Sequence, residues 1–231
     1  QRPEIHFLFF HAEMVAIHGL GFPIRQDNNK LGRQIGYNMH HIYHTEGIIL
    51  GSRNYGESGK YYFILTRDLG LVYASASGVR KMSSKLRFIL QDFAYIKVDL
   101  VQGKDFWRVT SASKTNTLEN LSRNPAVFSV VSNIAALLKR LLAGAEENKD
   151  LFHDLVSGLL ILEKTESKED LRNIEAIIVL RMLNNLGYIG GSEVMQNLVK
   201  SPFEENLIFE VSKSRREVLS QINKALKETH L

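Results

Sequence analysis

Five strand-length runs, joined by short polar connections with no helical period between them, occupy residues 46 to 112 and constrain the fold more than any other feature. The first is Glu46 to Gly51, with Ile48, Ile49 and Leu50 as its apolar content. In the second, Tyr61 to Thr66, Tyr61, Phe63 and Leu65 alternate with Tyr62, Ile64 and Thr66. Arg67-Asp68-Leu69-Gly70 has the composition of a hairpin connection, because Asp and Gly tolerate the angles of a tight reversal. The third run, Leu71 to Gly78, is rich in small residues (Ala74, Ser75, Ala76, Ser77), which lets a strand bend or another group approach closely. The fourth, Asp92 to Val101, alternates most clearly, with Ala94, Ile96, Val98 and Leu100 on one face. After a turn at Gln102-Gly103-Lys104-Asp105, the fifth runs from Phe106 to Ala112. Five strands in about 70 residues predict a small antiparallel barrel, and the five-stranded OB-fold is the leading candidate.

From Asn124 the apolar period changes from two to 3.6. Asn124 suits a cap and Pro125 a first helical turn, and Val127, Val130, Val131, Ile134, Leu138 and Leu141 form one stripe. A second helix is predicted from Lys149 to Glu163. Ser167-Lys168-Glu169-Asp170, spaced like a capping box with Asp in place of Glu, opens a third that Gly187 ends. Residues 188 to 211 read as Gly- and polar-rich with one short apolar run, Leu207-Ile208-Phe209, and a last helix is predicted from Arg215 to Glu228. The chain is thus expected to be α+β, with an OB-fold domain over residues 39–113 and a helical domain over 114–231. The first 38 residues hold neither period for long, and the next Met is Met39, so they are expected to be an extension outside the native fold. A leading basic segment followed by an apolar stretch, as in a secretory signal, is not evident there.

Charge is uneven. Residues 42 to 113 carry ten Lys/Arg against six Asp/Glu, whereas residues 114 to 231 carry fifteen against sixteen. The excess sits in the strand-rich part and favours a polyanionic partner. Its densest stretch is Val79-Arg80-Lys81-Met82-Ser83-Ser84-Lys85-Leu86-Arg87, within a span that has no acidic residue between Leu69 and Gln91. Cations spaced by hydroxyl residues suit phosphate, which carries no sequence information; the plainer reading is a solvated basic turn. The candidate residues for contacting the phosphates of such a partner are Arg53, Lys60, Arg67, Arg80, Lys81, Lys85 and Arg87. Tyr61, Tyr62, Phe106 and Trp107 would stack bases if exposed, although an aromatic on an alternating strand more often belongs to the core.

Several chemistries find little support. The chain has no Cys, which removes disulfides, thiolate nucleophiles and Cys-containing zinc sites. Gly56-Glu57-Ser58-Gly59-Lys60 resembles the end of a phosphate-binding loop, but Asn54 replaces the first Gly, Tyr61 replaces the Ser or Thr, and a strand is predicted where a helix is required. His40, His41 and His44 cluster without an acidic partner in helical register, so neither a metal site nor a hydrolase built on them is expected. No nucleophile elbow or HExxH is present, and no apolar run approaches the ~20 residues of a membrane-spanning helix. No cofactor is expected.

The ordered series TEGIIL, SRNYGESGK, ILTRDLGLV and GVRKMSSKL resembles the N-terminal domain of the bacterial RecO family of DNA repair proteins. The helix EAIIVLRMLNNLGY, from Glu175 to Tyr188, resembles that family's LR-x-L-x-x-LGY helix end, and KALKETHL is similar to its usual C-terminus. The resemblance covers residues 42 to 231. It implies a cytoplasmic, nucleoid-associated recombination mediator that binds single- and double-stranded DNA, anneals complementary strands, and works with RecR and single-strand-binding protein to load RecA. Many members carry a Cys-rich zinc module after the LGY element; neither Gly190-Gly191-Ser192-Glu193 nor the stretch C-terminal to it contains a Cys, so zinc is expected to be absent. The competing class is a protein-binding adaptor whose barrel is a scaffold. In it, Lys139 and Arg140, beside Leu137, Leu138, Leu141 and Leu142, would hold an acidic peptide such as the C-terminal tail of single-strand-binding protein.

Overall fold

The computed structural model describes residues 41–104, 106–142, 146–190 and 193–229. The expected 1–38 extension and His40 lie outside them. Five strands form a closed barrel: β1 (Ile42–Tyr55), β2 (Gly59–Thr66), β3 (Gly70–Ala76), β4 (Tyr95–Gln102) and β5 (Trp107–Lys114), in the order β1-β2-β3-β5-β4. Every pairing is antiparallel except β3 with β5, where Ala74 and Ser75 run parallel to Trp107 and Arg108. This is the OB-fold. A single helical turn, α1 (Leu86–Ile89), lies between β3 and β4.

β1 is much longer than the predicted Glu46 to Gly51. Its first half pairs with β4 over Ile42–Ile48 and its second half with β2 over Gly47–Tyr55. The polar ends hid this, because His44 and Arg53 to Tyr55 owe their extended backbone to ladder bonds and not to burial. The register shifts between Ile49 and Gly51, a bulge whose glycine has φ of 149°. Ile49, Tyr62, Ile64, Val72, Ala74, Ile96, Val98 and Leu100 fill the barrel. Alternation therefore sends Tyr61, Phe63 and Tyr73 to its exterior.

Five helices come after the barrel: α2 (Pro125–Leu141), α3 (Lys149–Lys164), α4 (Lys168–Asn185), α5 (Glu193–Lys200) and α6 (Glu205–Glu228). The predicted caps form. Asn124 Oδ1 accepts from the Ala126 N–H at 2.9 Å, and Ser167 Oγ accepts from the Asp170 N–H at 3.3 Å. Gly187, at φ 79°, ends α4: its N–H donates to the Asn184 carbonyl and the Tyr188 N–H to the Leu183 carbonyl. Residues 188 to 211, read as Gly- and polar-rich with no helix assigned, contain all of α5 and the start of α6. α5 buries Met195 and Leu198, and α6 begins ten residues before Arg215. Leu207, Val211, Val218, Ile222 and Ala225 are its buried stripe, so of the Leu207-Ile208-Phe209 run only Leu207 points fully inward.

α4 is buried on almost every side from Leu171 to Leu183, which makes its polar residues informative. Glu175 accepts a 3.3 Å hydrogen bond from Asn133, and burial pushes its pKa above the usual carboxylate range. Arg181 donates to Asp154 Oδ1 at 3.0 Å, to the Leu198 carbonyl at 3.1 Å and to the Ser201 carbonyl, and its guanidinium lies over the Phe203 ring. One side chain thus ties α3, α4 and the end of α5 together. Among the described residues no helix is long and apolar enough to cross a membrane.

Candidate nucleic-acid interface

Cross-strand register builds the exterior face. Arg53, Tyr61, Ser75 and Arg108 are successive partners across β1, β2, β3 and β5, while Gly51, Phe63 and Tyr73 form the neighbouring row. Directly opposed residues share a face, so the rows bring five rings together. Tyr61 and Tyr73 stack with centroids 4.8 Å apart, Tyr55 lies 4.4 Å from Tyr61, Phe106 meets Tyr61 edge-on at 5.3 Å, and Phe63 lies 4.9 Å from Tyr73. Tyr55 and Phe106, at the margin, are the exposed members. The Arg53 guanidinium lies 5.0 Å over Tyr73 and donates to its hydroxyl. The result is an aromatic ribbon with cations seated on it.

Lys139 completes this face from the helical side. Its ammonium lies 5.6 Å over the Phe63 ring, at the position left open because Gly51, opposite Phe63, has no side chain. A Cβ on Gly51 would stand 3.3 Å from the Lys139 Nζ. Although much of the side chain remains exposed, loss of water around the ammonium draws its pKa below the usual lysine range. The Gly51→Ala variant should lose on the order of 1–3 kcal/mol in urea unfolding, because its φ strains any L side chain. A stability within the ~0.5 kcal/mol typical of a neutral surface change would contradict this.

The basic loop lies beside the β1–β2 turn, where the Arg80 N–H donates to the Ser58 carbonyl at 2.9 Å. Val79 and Leu90 are buried and Leu86 and Ile89 pack on the barrel core, so apolar residues anchor a segment whose Arg80, Lys81 and Lys85 are exposed. Arg87 sits in α1 with its guanidinium 4.7 Å over Phe88, itself exposed. Lys60 donates to Ser52 Oγ at 3.3 Å near the same end of the barrel. Among the described residues, none of Arg53, Lys60, Arg80, Lys81, Lys85, Arg87 and Arg108 takes part in an ion pair.

Arg67 is placed apart from them. It lies at the far end of β2, roughly 20 Å or more from the 56–59 turn at ~3.3 Å per strand residue. Its guanidinium is 3.3 Å from Glu46 and 3.3 Å from Asp68, whose own pKa is held down first by a hydrogen bond from Thr45 and then by Arg67. Tyr62 is also unavailable for stacking: it is 1% exposed inside the barrel, and burial pushes its pKa up to about 12. Trp107 packs edge-on to Tyr43 at 5.1 Å against the barrel core. His44 meets Asp99, its partner across β1 and β4, at 2.6 Å, an acidic neighbour that helical register could not reveal. Of the four leucines beside Lys139 and Arg140, Leu138 and Leu141 belong to the core, while Leu137 and Leu142 are half-buried. Phe63, Tyr73, Tyr55 and Arg108 belong to the face without being sequence candidates. Strand alternation was the available signal for Phe63, while the others need the register.

Residues 39–118 match the family model described as recombination protein O N terminal, and residues 123–189 that of recombination protein O C terminal. The chain is 33% identical over 147 residues to the DNA repair protein RecO of Heliobacterium modesticaldum, covering 64% of this chain and 52% of that protein. It is 30% identical over 129 residues to that of Dehalococcoides mccartyi, covering 56% of this chain and 51% of that protein. The RecO of Desulfitobacterium hafniense is 28% identical over 147 residues, with coverage of 64% and 52%. The chain spans about half the length of the curated relatives it matches. Barrel, helices and both halves of the match agree: the chain belongs to the recombination protein O family of DNA repair proteins.

Proposed function

We propose that this chain is a recombination mediator that binds single- and double-stranded DNA on the exterior of its barrel and anneals complementary strands. In this reading it helps load RecA onto DNA coated with single-strand-binding protein, together with RecR, in the cytoplasm at the nucleoid. The observation that carries the proposal is the juxtaposition of the Tyr55–Tyr61–Tyr73–Phe63–Phe106 ribbon with Arg53, Arg108, Lys139 and the loop of Arg80, Lys81, Lys85 and Arg87. Annealing then needs no bond-making step. Two strands repel, and a surface that neutralises both allows pairing by mass action, with counterions released for each phosphate contacted. The position of Lys139 on the barrel face favours this reading over an adaptor that holds an acidic tail with Lys139 and Arg140.

Ring stacking separates single strands from duplex. Tyr61→Ala should weaken binding of a labelled oligo-dT by roughly 5- to 150-fold, the equivalent of ~1–3 kcal/mol for one stacked base. Duplex binding, which offers no free base, should change less than about twofold. Anisotropy titrations at fixed salt measure both. An unchanged oligo-dT affinity in a folded variant would exclude the ribbon as a base platform.

A further inference from the structure

The helical half contains a groove of about 1010 Å³ between the C-terminal end of α3 and the first turns of α4 and α6. Asn173 lines it and is 1% exposed, and neither its Nδ2 nor its Oδ1 has a hydrogen-bond partner among the described residues. Buried side-chain amides are nearly always bonded, so one with donor and acceptor both free marks a position where a partner is due. A primary amide with both groups open matches a peptide unit, giving an N–H to its carbonyl and taking one from its N–H.

The rest of the lining says what kind of peptide fits. Glu166, Glu169, Asp170 and Glu204 line the groove with one cation, Lys164, and a second, Lys213, stands at its edge over Phe209. Glu169 and Asp170 lie in the first turn of α4, where carboxylates offset the helix dipole. Glu204 forms no side-chain capping bond to α6, and its carboxylate is not used there. Phe209, with Ile208 and Ile161 nearby, provides an apolar wall; it is 61% exposed, and the Lys213 ammonium lies 4.1 Å over its ring. We infer that this groove binds an extended basic peptide segment: its backbone pairs with Asn173, an apolar side chain packs on the wall of Ile161, Ile208 and Phe209, and Lys or Arg side chains meet the carboxylates. DNA and acidic tails are repelled by the same charges, so the groove is a protein-docking surface independent of the barrel face.

The test uses the full chain and two fluorescein-labelled heptapeptides, one alternating Lys and Leu and one alternating Glu and Leu, titrated by anisotropy without DNA. The Lys-Leu peptide should bind at least tenfold more tightly than the Glu-Leu peptide. Phe209→Ser and Glu204→Lys, both surface changes, should each weaken the Lys-Leu peptide about tenfold, whereas Glu217→Lys on the exposed side of α6 should leave it unchanged. Asn173→Leu should weaken the peptide by a similar factor while raising the unfolding midpoint, since it removes an unsatisfied amide from the interior. If Asn173→Leu does not fold, the two surface variants decide. Equal binding of both peptides would overturn the inference, as would indifference to Phe209→Ser and Glu204→Lys. So would a change of oligomeric state in Phe209→Ser without loss of peptide, which would make a second copy the occupant.

Discussion

Urea unfolding of the Arg181→Met variant should show a loss of about 3 kcal/mol, and its thermal midpoint should fall by on the order of 10 °C. The guanidinium is nearly inaccessible, with a side chain 5% exposed, and it serves three oxygens at once. Methionine fills a similar volume but leaves the Asp154 carboxylate, 22% exposed, with its 2.9 Å hydrogen bond from Asn185 as the one remaining side-chain partner among the described residues. It also leaves the Leu198 and Ser201 carbonyls, at the end of α5, without their donor. Breaking a buried pair from one side is costly because the remaining charge stays desolvated. Adding Asp154→Leu should therefore recover much of the loss. Lysine at the same place should not rescue, because one ammonium cannot reproduce the fork that reaches two helices. A single-variant loss under ~1 kcal/mol, the scale of an ordinary exposed pair, would show that Arg181 does not hold the helices together.

The second large effect concerns affinity. Replacing Arg80, Lys81, Lys85 and Arg87 together by Ala removes up to four phosphate contacts while leaving the barrel strands untouched. The slope of log affinity against log salt is about −0.9 per duplex phosphate contact and about −0.7 for single strands, so the quadruple variant should lose roughly three units of slope. Annealing should fall with it. Thermal stability should move little, because the exposed charges here take part in no ion pair among the described residues. If the slope is unchanged in a folded variant, the loop is not part of the DNA surface, and Arg53, Lys60 and Arg108 remain to carry it.

The strands and the helical stripes were legible because burial imposes a period. Ile96, Val98 and Leu100 alternate inward as expected, and all six stripe residues of α2 are buried. Where a segment is ordered by backbone pairing, the sequence is silent: Ile42 to Thr45 and Arg53 to Tyr55 look polar yet belong to β1. α5 and the start of α6 were missed because their inward residues, Met195, Leu198, Leu207 and Val211, are thinly spread among polar ones. For the candidate interface, charge density pointed to the loop of residues 79–87 without geometry. Register was required to separate Arg67, matched by Glu46 and Asp68, from Arg53, and to place Tyr62 inside and Tyr61 outside. Lys139 was read with its neighbours on α2, because nothing local to that helix announces a ring contributed by β2.

The double allegiance of β1 has a kinetic consequence. Tyr55 finds its partner Gly59 across one tight turn, whereas Ile42 must wait for Val101. The hairpins of β1, β2 and β3 involve short loop closures and should form early, within microseconds, while closure against β4 carries the entropy of a loop spanning most of the barrel. Refolding should therefore be paced by that last seam, in the millisecond-to-second range of folds dominated by non-local pairing. During synthesis the leading half of β1 emerges well before β4 exists. Until then it is an open strand edge, and His44 and Glu46 are the charged or chargeable side chains on it that discourage pairing with the wrong chain.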